Sequence, residues 1–349
     1  MNIHQKRIKD IQALLEEKKL DALVLARPLE TYFLTGYFME GVLLLVTKED
    51  VFGYMPKMLF DDFHSKVPFV KSYAADNARA ALIEKRDSLG VKKSVFEPET
   101  ENYLRGKYWK EHGFEEFSGI TSSLRLRKEG AEIEILKESC RIAAKAFEQL
   151  LPGIKTGDTE REVANRLDNL MRAMGAKGPS FDLIVAFGEN GALPHHVTSD
   201  RKLRDNESVL IDFGCVYRGY CSDITRTFFH GTPDAEFKKV YDIVLKSHDE
   251  GIKALKPGLS AKAADKVCRD VIADAGYGQY FIHSTGHGVG LEIHEAPALS
   301  LYSDEKFLLD KGMSVTVEPG IYLLGKFGVR IEDTVLVTDS GCEVLTVAD

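Results

Sequence analysis

The N-terminal third of the chain alternates between helix-like and strand-like hydrophobic spacing. Residues 4–20 place apolar side chains three or four positions apart, as one face of an amphipathic helix does. The short apolar runs at 21–26 and 41–46 are typical of buried strands. A helical segment at 74–89 and a short strand at 94–97 continue the alternation. This order of elements predicts an α/β domain at the N-terminus.

A different pattern begins at Glu129. From there, apolar residues at helical spacing predict a long amphipathic helix that extends to Leu150. The segment just before it, 121–123, is polar and has no periodicity. We therefore divide the chain into an N-terminal domain, residues 1–122, and a second domain, residues 123–349.

The second domain contains two halves with the same order of parts. One half has a Pro-Gly pair at 152–153, a helix, a strand and the neighbours His195 and His196. The other half has a Pro-Gly pair at 257–258, a helix, a strand and a histidine-rich segment. Each half ends in a candidate hairpin with acidic residues. A coincidence of a common helix-strand order is one explanation, but we infer a pseudo-symmetric domain with its site between the halves.

The first candidate hairpin carries Asp212 and Asp223. Both acids lie in runs rich in β-branched and aromatic residues, which favour strands. A turn centred on the junction of residues 217 and 218 sets Asp212 opposite Asp223. Opposed side chains on one face of a hairpin have Cβ atoms roughly 4.5 to 5.5 Å apart.

The second candidate hairpin carries Glu318 and Glu332. Its two strands, 313–318 and 329–333, flank a turn around Gly325. Folding about Gly325 sets Glu318 opposite Glu332, so the two hairpins repeat one construction.

Like charges on opposed strands are destabilising unless something compensates them. Two divalent metal ions roughly 3.5 to 4 Å apart would compensate both pairs, and such ion pairs are a recurrent catalytic device. Carboxylates with an imidazole suit Mn²⁺, Zn²⁺ or Co²⁺. A single acid that ends a strand beside solvent needs no metal, but two hairpins built alike favour a dinuclear metallohydrolase.

Histidines near these acids are further candidates. The segment 283–295 holds His283, His287 and His294 among several glycines, which let the backbone approach other groups closely. Spacing alone does not decide which imidazole binds metal. His195 precedes the first acid hairpin and is a candidate to polarise a carbonyl or move a proton. Arg330, two residues before Glu332, either orients an acid ligand or is a solvated edge-strand residue.

Composition narrows the choice of partners. The chain has 349 residues and a net charge of -8, so it offers no basic face for nucleic acid or anionic membrane. No apolar run of about 18 residues spans a bilayer and no secretory leader is recognisable, so we expect a cytoplasmic protein. The five cysteines are scattered and have no Cys-x-x-Cys spacing, which predicts reduced thiols.

Six stretches of the sequence resemble the motifs of one family, the proline-specific metallopeptidases of the pita-bread fold, aminopeptidase P and prolidase. The N-terminal domain is similar to the creatinase-like domain of the same enzymes. The resemblance extends over essentially the whole chain and implies an α/β fold with a creatinase-like domain before a pita-bread catalytic domain. The matching stretches are 211–214, 222–227, 283–290, 294–297, 317–322 and 329–333.

The resemblance implies roles for the candidate residues. Asp212 binds one metal ion, Asp223 and Glu332 bridge the two ions, and a hydroxide shared by the ions attacks the peptide carbonyl. His287 and Glu318 bind the other ion, and Glu318 also accepts a proton from the water. Among the substrate-binding residues, His195 and His294 stabilise the tetrahedral intermediate, His283 is another active-site histidine and Arg330 supports the bridging acids. The resemblance further implies two ions of Mn²⁺, with Zn²⁺ or Co²⁺ acceptable to the same ligands, and a homodimer. His196 has no assigned role.

The expected substrates are short peptides with proline in the second position. We expect an Xaa-Pro aminopeptidase first and an Xaa-Pro dipeptidase as the alternative. Some prolidases have an arginine shortly after the His-Glu-x-Pro motif, thought to bind the dipeptide carboxylate, whereas Ala298 follows that motif here. The complete set of five ligands argues against a creatinase-type amidinohydrolase and against a non-catalytic peptide-binding module.

Overall fold

A computed structural model describes residues 2–348, which fall into two compact units. The first ends at Arg125 and the second begins at Leu126. The division lies at the end of a short helix, Ile120–Arg125, a few residues beyond the boundary expected after residue 122. Each unit has its own sheets and its own buried core.

The first unit contains a six-stranded sheet in the order β4-β3-β2-β1-β5-β6. Strand β2 is antiparallel to both of its neighbours, and the remaining pairs are parallel. Its elements are α1 (Ile3–Glu17), β1 (Ala22–Leu25), α2 (Pro28–Thr35), β2 (Leu43–Thr47), β3 (Val51–Met55), α3 (Lys57–Lys66), β4 (Lys71–Ala74), α4 (Ala78–Ser88), β5 (Ser94–Phe96), α5 (Tyr103–Glu111), β6 (Glu115–Glu116) and α6 (Ile120–Arg125).

One predicted helix boundary in this unit needs correction. The helix expected from residue 74 begins only at Ala78. The residues before it form β4, which pairs with β3, and the Asn77 side chain accepts a hydrogen bond from the Ala80 amide and caps the helix. Strand pairing and the cap decide this boundary, and hydrophobic spacing alone does not reveal either.

The second unit begins with a long helix and then repeats a helix-helix-sheet order. Its elements are α7 (Ala131–Leu150), α8 (Glu160–Ala173), β7 (Gly178–Pro179), β8 (Ile184–Phe187), β9 (Glu207–Phe213), β10 (Cys215–Tyr217), β11 (Tyr220–Cys221), β12 (Ile224–His230), α9 (Ala235–Ala254), α10 (Ala261–Asp274), β13 (Gly286–Gly288), β14 (Glu295–Leu299), β15 (Ser314–Val317), β16 (Gly320–Leu323), β17 (Phe327–Arg330), β18 (Asp333–Val337) and β19 (Cys342–Val344).

Each half of the second unit packs two helices on its own strands. One core joins α7 and α8 to β8, β9 and the start of β12, and a second core joins α9 and α10 to strands β15 to β18. An antiparallel bridge between Thr225 and Glu332 connects the strands of the two halves. Within residues 2–348, no helix combines the length and apolar composition that a membrane span requires.

The predicted register of the first hairpin is wrong. Asp212 pairs with Thr225, whereas Asp223 lies just before β12. The turn is formed by Arg218 and Gly219, whose φ values of 45° and 82° are typical of a two-residue type I′ turn. This turn lies further along the chain than the predicted junction and shifts the pairing by two residues. Because side chains alternate with a period of two, Asp223 keeps the same face as Asp212 and is its diagonal neighbour.

The second hairpin has the predicted register. Leu323 pairs with Phe327 around Gly325, and β15 pairs with β18 in continuation of the same register. The ladder is interrupted at Glu318 and Glu332, which lie between the two sets of paired strands. The Glu318 amide donates to the Thr285 carbonyl and the Glu332 amide to the Thr225 carbonyl instead. This interruption separates the two glutamates from the regular sheet, at the position where the Glu332 side chain bonds Thr225 of the first hairpin.

Candidate metal centre

A single cleft of about 500 Å³ in the second unit collects the candidate residues from both halves. The first hairpin, the glycine-rich segment around β13 and the second hairpin all contribute side chains to it. Its lining includes His195, Asp212, Asp223, His283, His287, His294, Glu318, Arg330 and Glu332, which are all the residues that the sequence marks as candidates.

The centre of the cleft is a cluster of acids around one imidazole. Ligand atoms of Asp223, His287 and Glu332 lie within 4.8 Å of one another. His287 Nε2 is 3.5 Å from Asp223 Oδ2 and 3.4 Å from Glu318 Oε1. The His287 Nδ1 atom is 3.1 Å from the Gly288 carbonyl, which leaves Nε2 directed at the acids. This geometry selects His287 from the three histidines of the 283–295 segment.

Asp212 lies at the Arg330 side of the cluster, and only one of its two carboxylate oxygens has a hydrogen-bond partner among the described residues. Its Oδ2 atom accepts a hydrogen bond of 2.5 Å from Arg330 Nη2. Its Oδ1 atom is buried and has no hydrogen-bond partner among the residues that the structure describes. A buried carboxylate oxygen without a donor is costly unless a cation or water occupies the space beside it. The orphaned oxygen therefore fits a metal ligand.

The electrostatics of the cluster favour bound cations. Burial, together with the charges of Glu332, Asp212 and Glu318, raises the pKa of Asp223. Burial and the charges of Glu318 and Asp212 likewise raise the pKa of Glu332. Burial and the charge of Asp212 raise the pKa of Glu318 to about 8, although Arg330 opposes the shift. Several buried acids that resist ionisation are compensated best by divalent ions, so the residues fit the expected pair of metals.

Threonines from the neighbouring strands hold two of the acids. Thr225 Oγ1 donates to Glu332 Oε2 over 2.6 Å, and Thr316 Oγ1 donates to Glu318 Oε1 over 3.1 Å. Thr316 Oγ1 also accepts a hydrogen bond from the His287 amide. Such contacts orient ligands before an ion binds. Sequence reasoning did not identify either threonine, because their roles depend on which strands are adjacent.

Arg330 has a more specific position than the sequence indicated. Its guanidinium is buried and bonds Asp212, whereas its link to the acid Glu332 passes through Thr225, whose hydroxyl accepts from Arg330 Nε over 3.0 Å. Arg330 Nη1 also donates to Tyr322 Oη over 2.8 Å. Arg330 is thus not a solvated edge residue. Its side chain bonds Asp212 directly, and it reaches the predicted bridging acid Glu332 only through Thr225.

Tyr322 was not among the predicted site residues. Its hydroxyl lies between Arg330 Nη1 and His283 Nε2, 2.8 Å from each. Burial and the positive charge of Arg330 lower the pKa of His283 to about 4, so the ring is neutral at neutral pH. The only sequence signal for Tyr322 was its place at the end of the motif 317–322.

The outer part of the cleft is formed by exposed histidines and apolar side chains. His195 and His294 are both exposed, and the His294 ring centroid is 4.3 Å from that of His287. Burial and the neighbouring imidazoles of His287 and His195 lower the pKa of His294. Apolar side chains beside these histidines make the outer wall suited to a small hydrophobic group; they are Phe181, Ile184, Pro194, Ile293 and Ala298.

A carboxylate-imidazole cluster of this kind, between two pseudo-symmetric halves, is typical of metal-dependent hydrolases. The model of Metallopeptidase family M24 matches residues 134–339, and that of the Creatinase/Prolidase N-terminal domain matches residues 7–127. The chain belongs to metallopeptidase family M24. This membership confirms the family resemblance, the fold class and the enzymatic character expected from the sequence.

Several named relatives align with nearly the whole chain. An Xaa-Pro dipeptidase of Pyrococcus furiosus is 38% identical over 345 residues, which cover 98% of this chain and 98% of the relative. The structure of an Xaa-Pro dipeptidase from Bacillus anthracis has a TM-score of 0.95 at 38% identity and covers 99% of this chain and 98% of its own. The structure of an X-Pro aminopeptidase from Thermotoga maritima has a TM-score of 0.88 at 32% identity, with coverage of 95% and 96%.

Proposed function

We propose that this protein is an Xaa-Pro dipeptidase that works with two divalent metal ions. The sequence motifs alone favoured an aminopeptidase and kept the dipeptidase as the alternative. The names of the relatives support the alternative more strongly, since two archaeal proteins at 38% identity over nearly the full length are Xaa-Pro dipeptidases. The substrate class is therefore a dipeptide with proline in the second position.

The observation that carries the metal-dependent mechanism is the arrangement of the acids. Asp212 has a buried oxygen without a donor, and the neighbouring Asp223, His287 and Glu332 offer ligand atoms within 4.8 Å of one another. Asp212, Asp223, Glu318 and Glu332 together with His287 would hold the ions. Divalent ions in such a site supply Lewis acidity toward the peptide carbonyl and lower the pKa of bound water.

In this proposal, the protein's own side chains transfer the proton, stabilise the developing negative charge and bind the substrate. Glu318, held by Thr316, is placed to accept the proton of the attacking water and deliver it to the leaving proline nitrogen. His195 and His294 lie at the outer edge of the same cleft and donate hydrogen bonds to the oxygen on which negative charge develops. His283 and Arg330 bind substrate from the inner wall, where the Tyr322 hydroxyl links them.

The proline ring has a physical reason to bind in this cleft. A peptide bond to proline is a tertiary amide without an N–H, so recognition must depend on the ring and the carbonyl. Apolar side chains at the outer wall suit the ring.

The second candidate is an Xaa-Pro aminopeptidase that accepts longer peptides. Ala298 supports it, because this small residue lines the cleft at the position where some prolidases place a carboxylate-binding arginine. The likeness to the Thermotoga maritima aminopeptidase also supports it, although at lower identity than the dipeptidases.

A peptide panel distinguishes the two candidates. Protein stripped of metal with a chelator is assayed with Mn²⁺, Zn²⁺ or Co²⁺ on Xaa-Pro dipeptides, Xaa-Pro-Yaa tripeptides and Xaa-Ala dipeptides as controls. We expect activity only with metal, and kcat/KM for Xaa-Pro dipeptides at least about tenfold above the tripeptides, which corresponds to about 1.4 kcal/mol. Equal or greater turnover of the tripeptides assigns the protein to the aminopeptidases instead.

The metal, the compartment and the assembly belong to the same proposal. We propose Mn²⁺ as the working ion, a cytoplasmic location and a homodimer. The five free cysteines, four of them buried, are compatible with a reducing compartment. Burial and the nearby acids Glu295 and Asp223 raise the pKa of Cys221 to about 12, so this thiol remains protonated beside the site.

A further inference from the structure

Glu160, at the start of α8, is a fully buried carboxylate that the proposed mechanism does not use. Its side chain has 0% exposure. Among the described residues, its only ion-pair partner is the imidazole of His196. A buried carboxylate without a lysine or arginine partner is costly unless several hydrogen bonds replace its hydration shell.

One loop supplies all the side-chain hydrogen bonds that Glu160 accepts. Oε1 accepts from the Phe187 amide at 2.9 Å and from Asn190 Nδ2 at 2.8 Å. Oε2 accepts from His196 Nε2 at 2.8 Å, from the Ser199 amide at 2.9 Å and from Ser199 Oγ at 2.5 Å. The donors extend from the end of β8 to Ser199, so one carboxylate joins both ends and the middle of the segment 187–199.

His195 lies inside that segment, next to one of the donors. The His196 amide bonds the Leu193 carbonyl over 3.0 Å and closes a tight turn that carries Pro194 and His195. His195 is exposed at the cleft, and the His196 ring points the other way, to Glu160. The conformation of this turn decides where the His195 imidazole lies relative to the metal ligands.

One bond from the second hairpin also reaches the tip of the loop, where the Pro194 carbonyl accepts from Arg330 Nη1 over 3.5 Å. Leu193, His195 and Val197 are all exposed, so burial of side chains does not fix their positions. Thr198 anchors only the later part, where its hydroxyl donates to the Leu183 carbonyl over 2.7 Å. Short hydrogen bonds to a buried, charged acceptor are strong, and Glu160 accepts five of them from the loop, so it restrains the turn more than the single long bond to Pro194.

We propose that Glu160, with His196, is a positioning residue that fixes His195 in the cleft for the reaction. This assignment rests on the proposed function of His195 in peptide hydrolysis. It also gives His196 a role, as a donor to Glu160 beside the residue that faces the substrate. Neither Glu160 nor His196 contacts the substrate, and both act through the loop.

A double-mutant cycle tests whether Glu160 acts through His195. Glu160→Gln keeps the size of the side chain but replaces one acceptor oxygen by an NH2 group, which cannot accept the hydrogen bonds that the loop donates. A small misplacement of a catalytic group can lower the rate by as much as about a hundredfold. We therefore expect kcat/KM to fall by about tenfold to a hundredfold when His195 is present, and by less than about threefold in a His195→Ala background. Equal falls in both backgrounds overturn the proposal.

Matched variants separate positioning from loss of structure. Glu162→Gln, in the same turn of α8, preserves the capping box with Thr159 and is expected to leave kcat/KM unchanged. His196→Gln retains a donor at a similar position and should retain most activity, whereas His196→Leu should behave like Glu160→Gln. Mn²⁺ affinity, measured by calorimetry, should be the same in all of these variants, because the metal ligands lie on other segments. If a variant loses kcat/KM and Mn²⁺ affinity to the same extent, the loss comes from the metal site, and the proposal is contradicted.

Hydrogen exchange provides a readout that does not depend on peptidase activity. In Glu160→Gln, one of the Phe187 and Ser199 amides faces the new NH2 group and loses its acceptor, so this amide should exchange at least about tenfold faster, while amides of α9 keep their rates. If the wild-type protein hydrolyses no Xaa-Pro peptide, the proposed function fails. Unchanged exchange of both amides overturns the role of Glu160 independently of that result.

Discussion

Asp223 illustrates how the demands of function and stability conflict at a single residue. It is buried beside three other acids, and its pKa is raised by burial and by their negative charges. Without a cation, the folded protein must either protonate this group or tolerate like charges at short range. In the proposed mechanism, the same group becomes a ligand when divalent ions bind. The residue therefore destabilises the metal-free fold and stabilises the metal-bound one.

Replacing Asp223 by asparagine should separate these two effects. In Asp223→Asn, the metal-free protein loses a buried negative charge, so its Tm should rise by about 2 to 4 °C for each kcal/mol recovered. Mn²⁺ affinity should fall by at least about tenfold and Xaa-Pro hydrolysis should be almost abolished. Thermal unfolding after chelation, calorimetric titration with Mn²⁺ and steady-state kinetics measure the three quantities.

The exposed residue Asp339 provides the matched control. Its carboxylate pairs with Lys311 at the surface, so Asp339→Asn should change neither the Tm of the metal-free protein nor its metal affinity. If metal-free Asp223→Asn has a lower Tm than the metal-free wild type, then Asp223 does not destabilise the metal-free fold.

At the scale of elements, the segment that carries His294 depends on an ion pair outside the cleft. Glu295, the first residue of β14, accepts a bond of 2.5 Å from Lys128 Nζ. The side chains are only 8% and 2% exposed, respectively. Lys128 precedes α7, and its amide bonds the Gly312 carbonyl before β15. The pair therefore ties three elements together and fixes the strand next to His294.

Removing this lysine should destabilise the second unit markedly. In Lys128→Met, the buried ion pair between Lys128 and Glu295 is broken, and breaking such a pair typically costs about 3 to 5 kcal/mol. Urea denaturation measures the free energy of unfolding, and Lys311→Met is the control because its exposed pair with Asp339 contributes at most about 1 kcal/mol. Equal losses for the two variants would contradict a special role for the buried pair.

The same elements show where sequence reasoning succeeds and where it stops. The second hairpin was predicted in its correct register because Gly325 marks the turn clearly. The turn of the first hairpin was predicted at the wrong position because Arg218, a residue that rarely adopts positive φ, precedes Gly219 in a type I′ turn. The acids still share a face, since a shift of two residues preserves the alternation of side chains.

Residues that act through long-range contacts were the ones that the sequence did not identify. Glu160 reads as the start of an amphipathic helix, and nothing local reveals that a loop some thirty residues later bonds it. Thr225 and Lys128 likewise gain their roles from strands of the other half. Motifs predict ligands because the ligand chemistry restricts residue type, whereas the supporting contacts require the tertiary structure.

At the scale of the whole molecule, the buried acids link stability to pH and to metal. The acids of the cleft are buried or half-buried, and they lie close together. A group whose pKa is raised by folding contributes stability that is complete below its unfolded pKa and is lost as the pH rises through its folded pKa. For Glu318 this window extends from 4.5 to about 8.

The histidines of the cleft act in the opposite sense over part of that window. Burial lowers the pKa of His283 from 6.5 to about 4 and also lowers those of His287 and His294. They therefore add stability as the pH rises through 6.5, and this gain levels off about one pH unit above that value. Between pH 6.5 and about 8 the two effects overlap, so the contribution of Glu318 is the difference between the wild type and a variant without this acid.

Relative to metal-free Glu318→Gln, the metal-free wild-type protein should accordingly lose stability between pH 6.5 and 8, by on the order of 1 kcal/mol and a Tm decrease of about 2 to 4 °C. Protein loaded with Mn²⁺ should show no such loss, because bound ions keep the acids ionised and bind more tightly as protons leave. Differential scanning calorimetry of chelated and loaded protein at both pH values measures the difference. Glu318→Gln is the internal control, since it removes one of the titrating acids and should reduce the decrease in the metal-free state. Identical pH dependence of the two forms would mean that the acids of the cleft are not coupled to metal binding.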